Sequence, residues 1–296
     1  HGWELWFSDG TASGTRRLGD FAAGTPDSPM SNFVVQGTKV FFSAADVNCC
    51  SALPAGTTGY ELYTSDGTVA GTRRLTSATP NNPANQCWWC YNVQELRVLG
   101  AGVVARFNTE TSDVWYRSDG TLAGTVSLDP DPNDLLPMSN LTISGDKAFF
   151  SAGSAATGNE PWVTDGSAAG TRSFGDINPN NVGSGASGFV RFGNPERVVF
   201  RANDGINGEE LWITDYTAAG TVMLKDFNTT TQNGSNSSPQ NMVAAGNKVF
   251  FRVYTPTTGW EIGVTDGTSA GTNILSLVPG TGDAPVDQLQ GGSDGR

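Results

Sequence analysis

GWELWFSDGTASGTRRL (residues 2–18) and GYELYTSDGTVAGTRRL (59–75) are one sequence written twice. Four further copies follow: DVWYRSDGTLAGTVSL from Asp113, GNEPWVTDGSAAGTRSF from Gly158, GEELWITDYTAAGTVML from Gly208 and GWEIGVTDGTSAGTNIL from Gly259. Their anchoring aspartates, Asp9, Asp66, Asp119, Asp165, Asp215 and Asp266, are 57, 53, 46, 50 and 51 residues apart, and a Gly-Thr pair stands five and six residues after each. A period near fifty is too long for an ankyrin or leucine-rich repeat and suits a four-stranded propeller blade.

Between these copies lies a second, weaker motif. GTKVFFSA (37–44), GAGVVARF (100–107), GDKAFFSA (145–152), GNPERVVFRA (193–202) and GNKVFFRV (246–253) each set a glycine before an apolar, β-favouring run, the pattern of a turn feeding a strand. A moderately apolar segment precedes several of these glycines, as in SNFVVQ (31–36), SNLTIS (139–144) and QNMVAA (240–245). Each unit therefore reads strand A, Gly turn, strand B, variable loop, strand C, Asp-Gly-Thr turn, strand D. No segment has helical periodicity. The expected fold is all-β: a six-bladed β-propeller of four-stranded antiparallel blades, one domain over residues 1–296. The alternatives are a β-helix or an open array of small β-domains.

The ends of the sequence bear on one blade. Residue 1 stands just before a strand C, and APVDQLQGGSDGR (284–296) matches a strand A with its glycine turn. One blade is thus expected to close from N- and C-terminal strands, without a strand B, as if the chain were a piece of a longer one.

Composition removes several function classes. The 296 residues carry 29 acidic and 17 basic side chains, a net charge of -12, which disfavours nucleic acid and anionic membranes as partners. Charged residues make up only 16%, against about 25% in a typical domain, while 38 glycines and 15 prolines mark a turn-rich chain. No run approaches the roughly 18 apolar residues of a membrane helix, and His1-Gly2-Trp3-Glu4 lacks the regions of a signal peptide, as a processed chain would. His1 is the only histidine, which argues against an interior histidine metal centre, a Ser/His/Asp triad or a Cys/His dyad.

The string Glu-Leu-Trp, two residues, Asp-Gly-Thr resembles the ELWxxDGT repeat, also called hyalin-like, of secreted and surface proteins of bacteria. The match is close from Glu4-Leu5-Trp6 to Thr15 and from Glu210-Leu211-Trp212 to Thr221, and the repeats span essentially the whole chain. Departures are Val114-Trp115-Tyr116, Glu160-Pro161-Trp162, Tyr216 for a glycine and Gly263 for the tryptophan. The resemblance implies export, surface or matrix association and a repeat scaffold, and no chemistry. The turn is also similar to the Asp-box of sialidase propellers, a structural element there.

The six motif aspartates read as structural turn residues, each accepting backbone N–H bonds, with positive φ expected at Gly14, Gly71, Gly124, Gly170, Gly220 and Gly271. Calcium is the alternative occupant of these turns, but one carboxylate falls short of the roughly six to eight oxygens that calcium takes. No other cofactor is expected. The aromatic column Trp6, Tyr63, Tyr116, Trp162 and Trp212 reads as blade packing ahead of sugar stacking. Glu4, Glu61, Glu160, Glu210 and Glu261 read as acceptors for backbone or Thr donors.

Blade-specific residues say more about function. Cys49, Cys50, Cys87 and Cys90 read as two disulfides bridging a B-to-C and a D-to-A loop, ahead of redox or zinc chemistry. The same loops would present Trp88, Trp89 and Tyr91 as an aromatic binding patch. Five residues before each A-to-B glycine stand Asn32, Glu95, Asn140, Gly188, Asn241 and Asp287, a polar ring able to hold a sugar, a cation or water.

Two classes of function follow, with a third beside them. The favoured one is a secreted or cell-surface, non-enzymatic binding or adhesion propeller for glycan or matrix components, using the disulfide-bearing loop face. The second is a polysaccharide hydrolase or lyase with paired carboxylates drawn from Glu95, Asp134, Asp204, Asp283 and Asp287. The third is a self-associating structural matrix protein.

Overall fold

The computed structural model describes residues 2–21, 27–45, 60–76, 93–108, 113–128, 138–154, 156–167, 169–179, 181–229, 235–275 and 289. Every regular element among them is a strand, and among them no helix is long and apolar enough to cross a membrane. The chain divides into two compact units, His1–Pro130 and Asp131–Arg296.

In the first unit, β1 (Trp6–Phe7) pairs with β2 (Arg16–Arg17). Two four-stranded antiparallel meanders follow, β3 (Met30–Gln36), β4 (Lys39–Ala45), β5 (Tyr60–Ser65), β6 (Arg73–Arg74), and β7 (Val93–Leu99), β8 (Gly102–Asn108), β9 (Asp113–Ser118), β10 (Val126–Ser127). The second unit holds three more: β11 (Ser139–Ser144), β12 (Lys147–Ser154), β13 (Gly158–Thr164), β14 (Arg172–Ser173); β15 (Ser187–Phe192), β16 (Arg197–Asn203), β17 (Glu209–Thr214), β18 (Val222–Lys225); and β19 (Gln240–Ala245), β20 (Lys248–Thr255), β21 (Gly259–Thr265), β22 (Asn273–Leu275).

The strand B sequences explain why successive sheets stack. Neighbouring residues on a strand point to opposite faces, and the β4 pair Phe41 and Phe42 is buried on both. Phe41 packs with Leu62, Leu75 and, from the next sheet, Val93, Val103 and Phe107. Phe42 packs the other way, with Ala44, Tyr63 and the preceding Leu5 and Phe21. The second unit repeats the arrangement: Phe200 joins Phe149 and Phe174 of the preceding sheet, while its neighbour Val199 joins Val249 and Phe251 of the following one. A strand buried on both faces stabilises two seams at once, each full Phe burial contributing roughly 1.5–3 kcal/mol.

The Asp-Gly-Thr turn forms a closed hydrogen-bonded unit. Asp9 Oδ1 accepts from Thr11 N at 2.9 Å and Thr11 Oγ1 at 2.7 Å, Gly10 N donates to Ser8 Oγ at 3.1 Å, and Gly14 N donates to Thr11 Oγ1 at 2.9 Å. The same carboxylate bonds recur at Asp66, Asp119, Asp165, Asp215 and Asp266. Thr side-chain and backbone donors hold the carboxyls of Asp9, Asp66, Asp215 and Asp266 below the usual carboxylate range, and Asp119 lies low with the Thr121 hydroxyl as the main cause.

The expected site of positive φ needs correction. It falls one residue after the aspartate, at Gly10 (91°), Gly67 (85°), Gly120 (83°), Gly166 (85°), Tyr216 (74°) and Gly267 (86°), and not at Gly14 and its equivalents. Those later glycines serve another end, because a Cβ at any of Gly14, Gly71, Gly124, Gly170, Gly220 or Gly271 would stand 2.0–2.2 Å from the motif carboxylate. The carboxylate lies against bare backbone, and only glycine leaves it room.

Tyr216 keeps its left-handed conformation through compensating contacts. Its ring stacks on Phe149 of the preceding sheet, centroids 6.0 Å apart at 13°, and its hydroxyl donates to Glu196. Burial and that bond push the Tyr216 phenol well above its ordinary range. Burial opposes ionisation of Glu196, but its bonds from Tyr216 and Arg191 hold the carboxyl low.

Candidate functional site

Four of the recurring glutamates of strand C, Glu4, Glu61, Glu160 and Glu210, cap the chain that leaves strand D. Glu4 accepts from Phe21 N at 3.2 Å, Glu61 from Thr76 Oγ1 at 2.6 Å, Glu160 from Ile177 N at 3.0 Å and Glu210 from Phe227 N at 3.2 Å. Glu210 is fully buried and also accepts from Ser237 N at 3.1 Å and from the Ser237 hydroxyl. Burial pushes its carboxyl up to about 7 despite these bonds, and burial raises Glu160 and Glu4 as well.

Two of the carboxylates considered for catalysis are occupied. Glu95 meets Arg97 Nε at 3.0 Å and lies 3.9 Å from Arg106 Nε. Asp204 closes its own loop, accepting from Ile206 N at 2.9 Å, Asn207 N at 2.7 Å and Asn207 Nδ2 at 2.7 Å. Asp134, Asp283 and Asp287 lie outside the described residues, as do Cys49, Cys50, Cys87, Cys90, Trp88, Trp89 and Tyr91. Among the described residues no three His, Cys, Asp or Glu side chains group as a metal site. Of the aromatic column, Tyr63 is buried, Tyr116 and Trp212 pack on the seam clusters, and Trp6 is 59% exposed.

The remaining ring positions share one backbone feature. Strand A slips register against strand B between Ser31 and Val34, Ser139 and Thr142, Ser187 and Val190, and Gln240 and Val243. Inside these bulges Asn32, Asn140, Gly188 and Asn241 take φ of 56°, 58°, 69° and 53°. Asparagine and glycine are the residues that tolerate this left-handed conformation most readily. Glu95 sits at a narrower slip, between Val93 and Glu95.

The asparagines do not face an open ring. Asn32 donates its side-chain amide to the Val93 carbonyl of the following sheet, and Asn140 donates to the Ala186 carbonyl at 3.3 Å. In each case the acceptor lies two residues before the bulge position of the next sheet. Gly188 has no amide to give. The equivalent acceptor is Pro239, two residues before Asn241, and this seam holds a cavity of about 460 Å³. Its lining includes Gly188, Arg201, Pro239, Gln240, Asn241 and Met242.

The cavity lies where β15 begins and β16 ends, on the side of the sheets from which B-to-C and D-to-A loops leave. Arg201 is paired in register with Ser187 and brings a guanidinium to it. Its Nε donates to Ser187 Oγ at 2.7 Å and lies 3.4 Å from Glu209 Oε1. Aligning the bulge positions in sequence picks out Gly188, but nothing in the sequence marks its missing side chain as an opening between two strands.

No family model matches the chain, and no curated protein matches it. Solved structures similar to it include oligopeptidase B from Leishmania major, at 14% identity and TM-score 0.46 over 92% of this chain and 37% of that one. A puromycin-hydrolyzing peptidase of Mycobacterium tuberculosis is 12% identical, with TM-score 0.41 over 94% and 42%. A putative TolB from Agrobacterium tumefaciens is 11% identical, with TM-score 0.37 over 88% and 83%. The chain thus spans less than half the length of these peptidases. All three TM-scores are below 0.5, and the likeness carries no functional information.

Proposed function

We propose that this chain is a secreted or cell-surface binding module, non-catalytic, that recognises a glycan or matrix component at the β15–β19 seam. In this reading the sheets are blades of a six-bladed propeller, with β1 and β2 completed by strands from the far end of the chain. Burial of both faces of β4 and of β16 supports the blade arrangement, as does the resemblance to exported ELWxxDGT repeats.

The observation that carries the binding reading is the Gly188 cavity, a concave site with an arginine, amides and an apolar edge, within the usual size range of small-ligand sites. Binding is favoured over turnover because Glu95, Asp204 and Glu210 are each committed to structural partners. The test is a panel of polysaccharides assayed in parallel for retention of the chain, with and without calcium, and for release of shortened products. Retention with unchanged polymer length is expected. Product release by the chain overturns the reading in favour of a hydrolase or lyase.

A further inference from the structure

We infer that the seam cavity takes a carboxylated sugar residue, a uronate, whose carboxylate is held by the terminal nitrogens of Arg201. This rests on the glycan-binding reading above and narrows it.

The strand B residue facing the start of each bulge differs from sheet to sheet. Ser31, Ser139, Gln240 and Ser187, each one residue before Asn32, Asn140, Asn241 and Gly188, pair with Ser43, Ser151, Arg252 and Arg201, and Glu95 pairs with Arg106. In the serine sheets the facing hydroxyl is used internally in one case, Ser43 with Ser31 at 2.8 Å. Arg252 lies over the Trp260 ring, 4.4 Å from its centroid. The β15–β16 sheet alone among these combines a removed side chain with a guanidinium.

The guanidinium is held by one edge. Both its hydrogen bond to Ser187 and its ion pair with Glu209 use Nε, and among the described residues neither terminal nitrogen donates a hydrogen bond. Two parallel N–H donors on a rigid plane match the two oxygens of a carboxylate. Because Ser187 and Glu209 already fix the side chain, less entropy is lost when a ligand arrives. Glu209 also offsets the guanidinium charge, and the chain carries a net charge of -12. Recognition therefore depends on directed hydrogen bonds at short range, since the overall field repels anions.

The rest of the lining fits a sugar ring. Pro239 lines the cavity at the position whose carbonyl, in Val93 and Ala186, accepts an asparagine amide elsewhere, and would offer a sugar hydroxyl the same acceptor. Gln240 adds an amide. Met242, whose Cε lies 3.3 Å from where a Gly188 Cβ would stand, supplies an apolar edge for the ring's C–H face.

The test is calorimetric titration of the full chain with an oligoglucuronate, the matching neutral oligoglucose, and acetate. The oligoglucuronate is expected to bind, with the neutral oligomer about ten- to hundredfold weaker, the range of a charge-assisted hydrogen-bond pair. R201Q should lower affinity for the oligoglucuronate by a similar factor. G188N is the second variant: an Asn suits the left-handed φ, its only close neighbour is the flexible end of Met242, and its amide would reach Pro239. It should fold and lose binding. Equal binding of both oligomers, unaffected by R201Q, overturns the uronate assignment and leaves the glycan reading standing. Binding of acetate with no saccharide bound overturns the glycan reading along with the uronate. No binding by any probe, with G188N indistinguishable from the parent, overturns both.

Discussion

Asn32 on β3 donates its side-chain amide across a sheet seam to the backbone carbonyl of Val93 on β7. It does so from a left-handed bulge, φ 56°, so one residue turns the strand and ties it to its neighbour. Asn140 repeats this toward Ala186. Replacing Asn140 should separate the two roles. N140A loses the bond and strains the backbone, costing about 2–3 kcal/mol, whereas N140G loses only the bond, about 1 kcal/mol. Urea unfolding of the pair checks the order, and equal losses would remove the backbone role.

The Asp-Gly-Thr turn offers a sharper contrast within five residues. Gly10 has φ 91° and nothing within 4 Å of where a Cβ would stand, while a Cβ on Gly14 would lie 2.0 Å from Asp9 Oδ1. G10A should cost about 1 kcal/mol, the penalty of an unfavourable φ. G14A should cost more, because it displaces the carboxylate and its bonds to Thr11. A double-mutant cycle with D9A should show coupling for G14A and none for G10A; additive losses at both positions contradict the steric account.

Stability should fall from mildly acidic to mildly alkaline pH. Glu210 has its carboxyl raised to about 7 in the folded chain, so the folded state binds a proton more tightly than the unfolded one. Its contribution is fully present below the ordinary carboxylate range and is lost as pH rises through about 7, on the order of 3 kcal/mol. The turn aspartates act oppositely. Their lowered values give stability above the ordinary Asp range that is lost in stronger acid. Thermal unfolding followed from about pH 3 to 9 should peak near pH 5, between these two opposing ranges, and E210Q should flatten the alkaline side. An unchanged slope in E210Q rules Glu210 out as its source.

Tyr216 departs from the turn's glycine yet keeps the same backbone. Y216F retains the stack on Phe149 and loses the bond to Glu196, a cost of about 1 kcal/mol. Y216G relieves the φ but loses both contacts, and should be the less stable of the two by chemical denaturation. A more stable Y216G would mean that the aromatic contacts do not offset the strain.

The strands were legible because their signals are local. Glycine before VFF or AFF marks the A-to-B turn, Asp-Gly-Thr marks the C-to-D turn, and paired phenylalanines such as Phe41 and Phe42 require partners on both faces. The alignment of Asn32, Asn140, Gly188 and Asn241 was also legible, and an Asn/Gly mixture at one position is itself a mark of left-handed backbone. What the amides bond to was not, since the acceptors Val93 and Ala186 lie 61 and 46 residues away. Gly188 therefore reads in sequence as an empty member of a polar ring, and only the seam geometry turns it into a cavity. The role of Gly14 was missed for a related reason: a steric demand by Asp9 and a demand for positive φ both select glycine.

If a ligand sits in the seam opened by Gly188, the nuclei that line it must respond first. Backbone and arginine side-chain amide spectra, recorded while the oligoglucuronate is titrated into the isotope-labelled chain, test this most directly. Shifts are expected to concentrate at Gly188, Arg201 Nε, Gln240 and Asn241, with the closed seams at Asn32 and Asn140 unmoved. Saturable shifts that spare Gly188 and Arg201 and fall elsewhere on the chain would contradict binding at this seam.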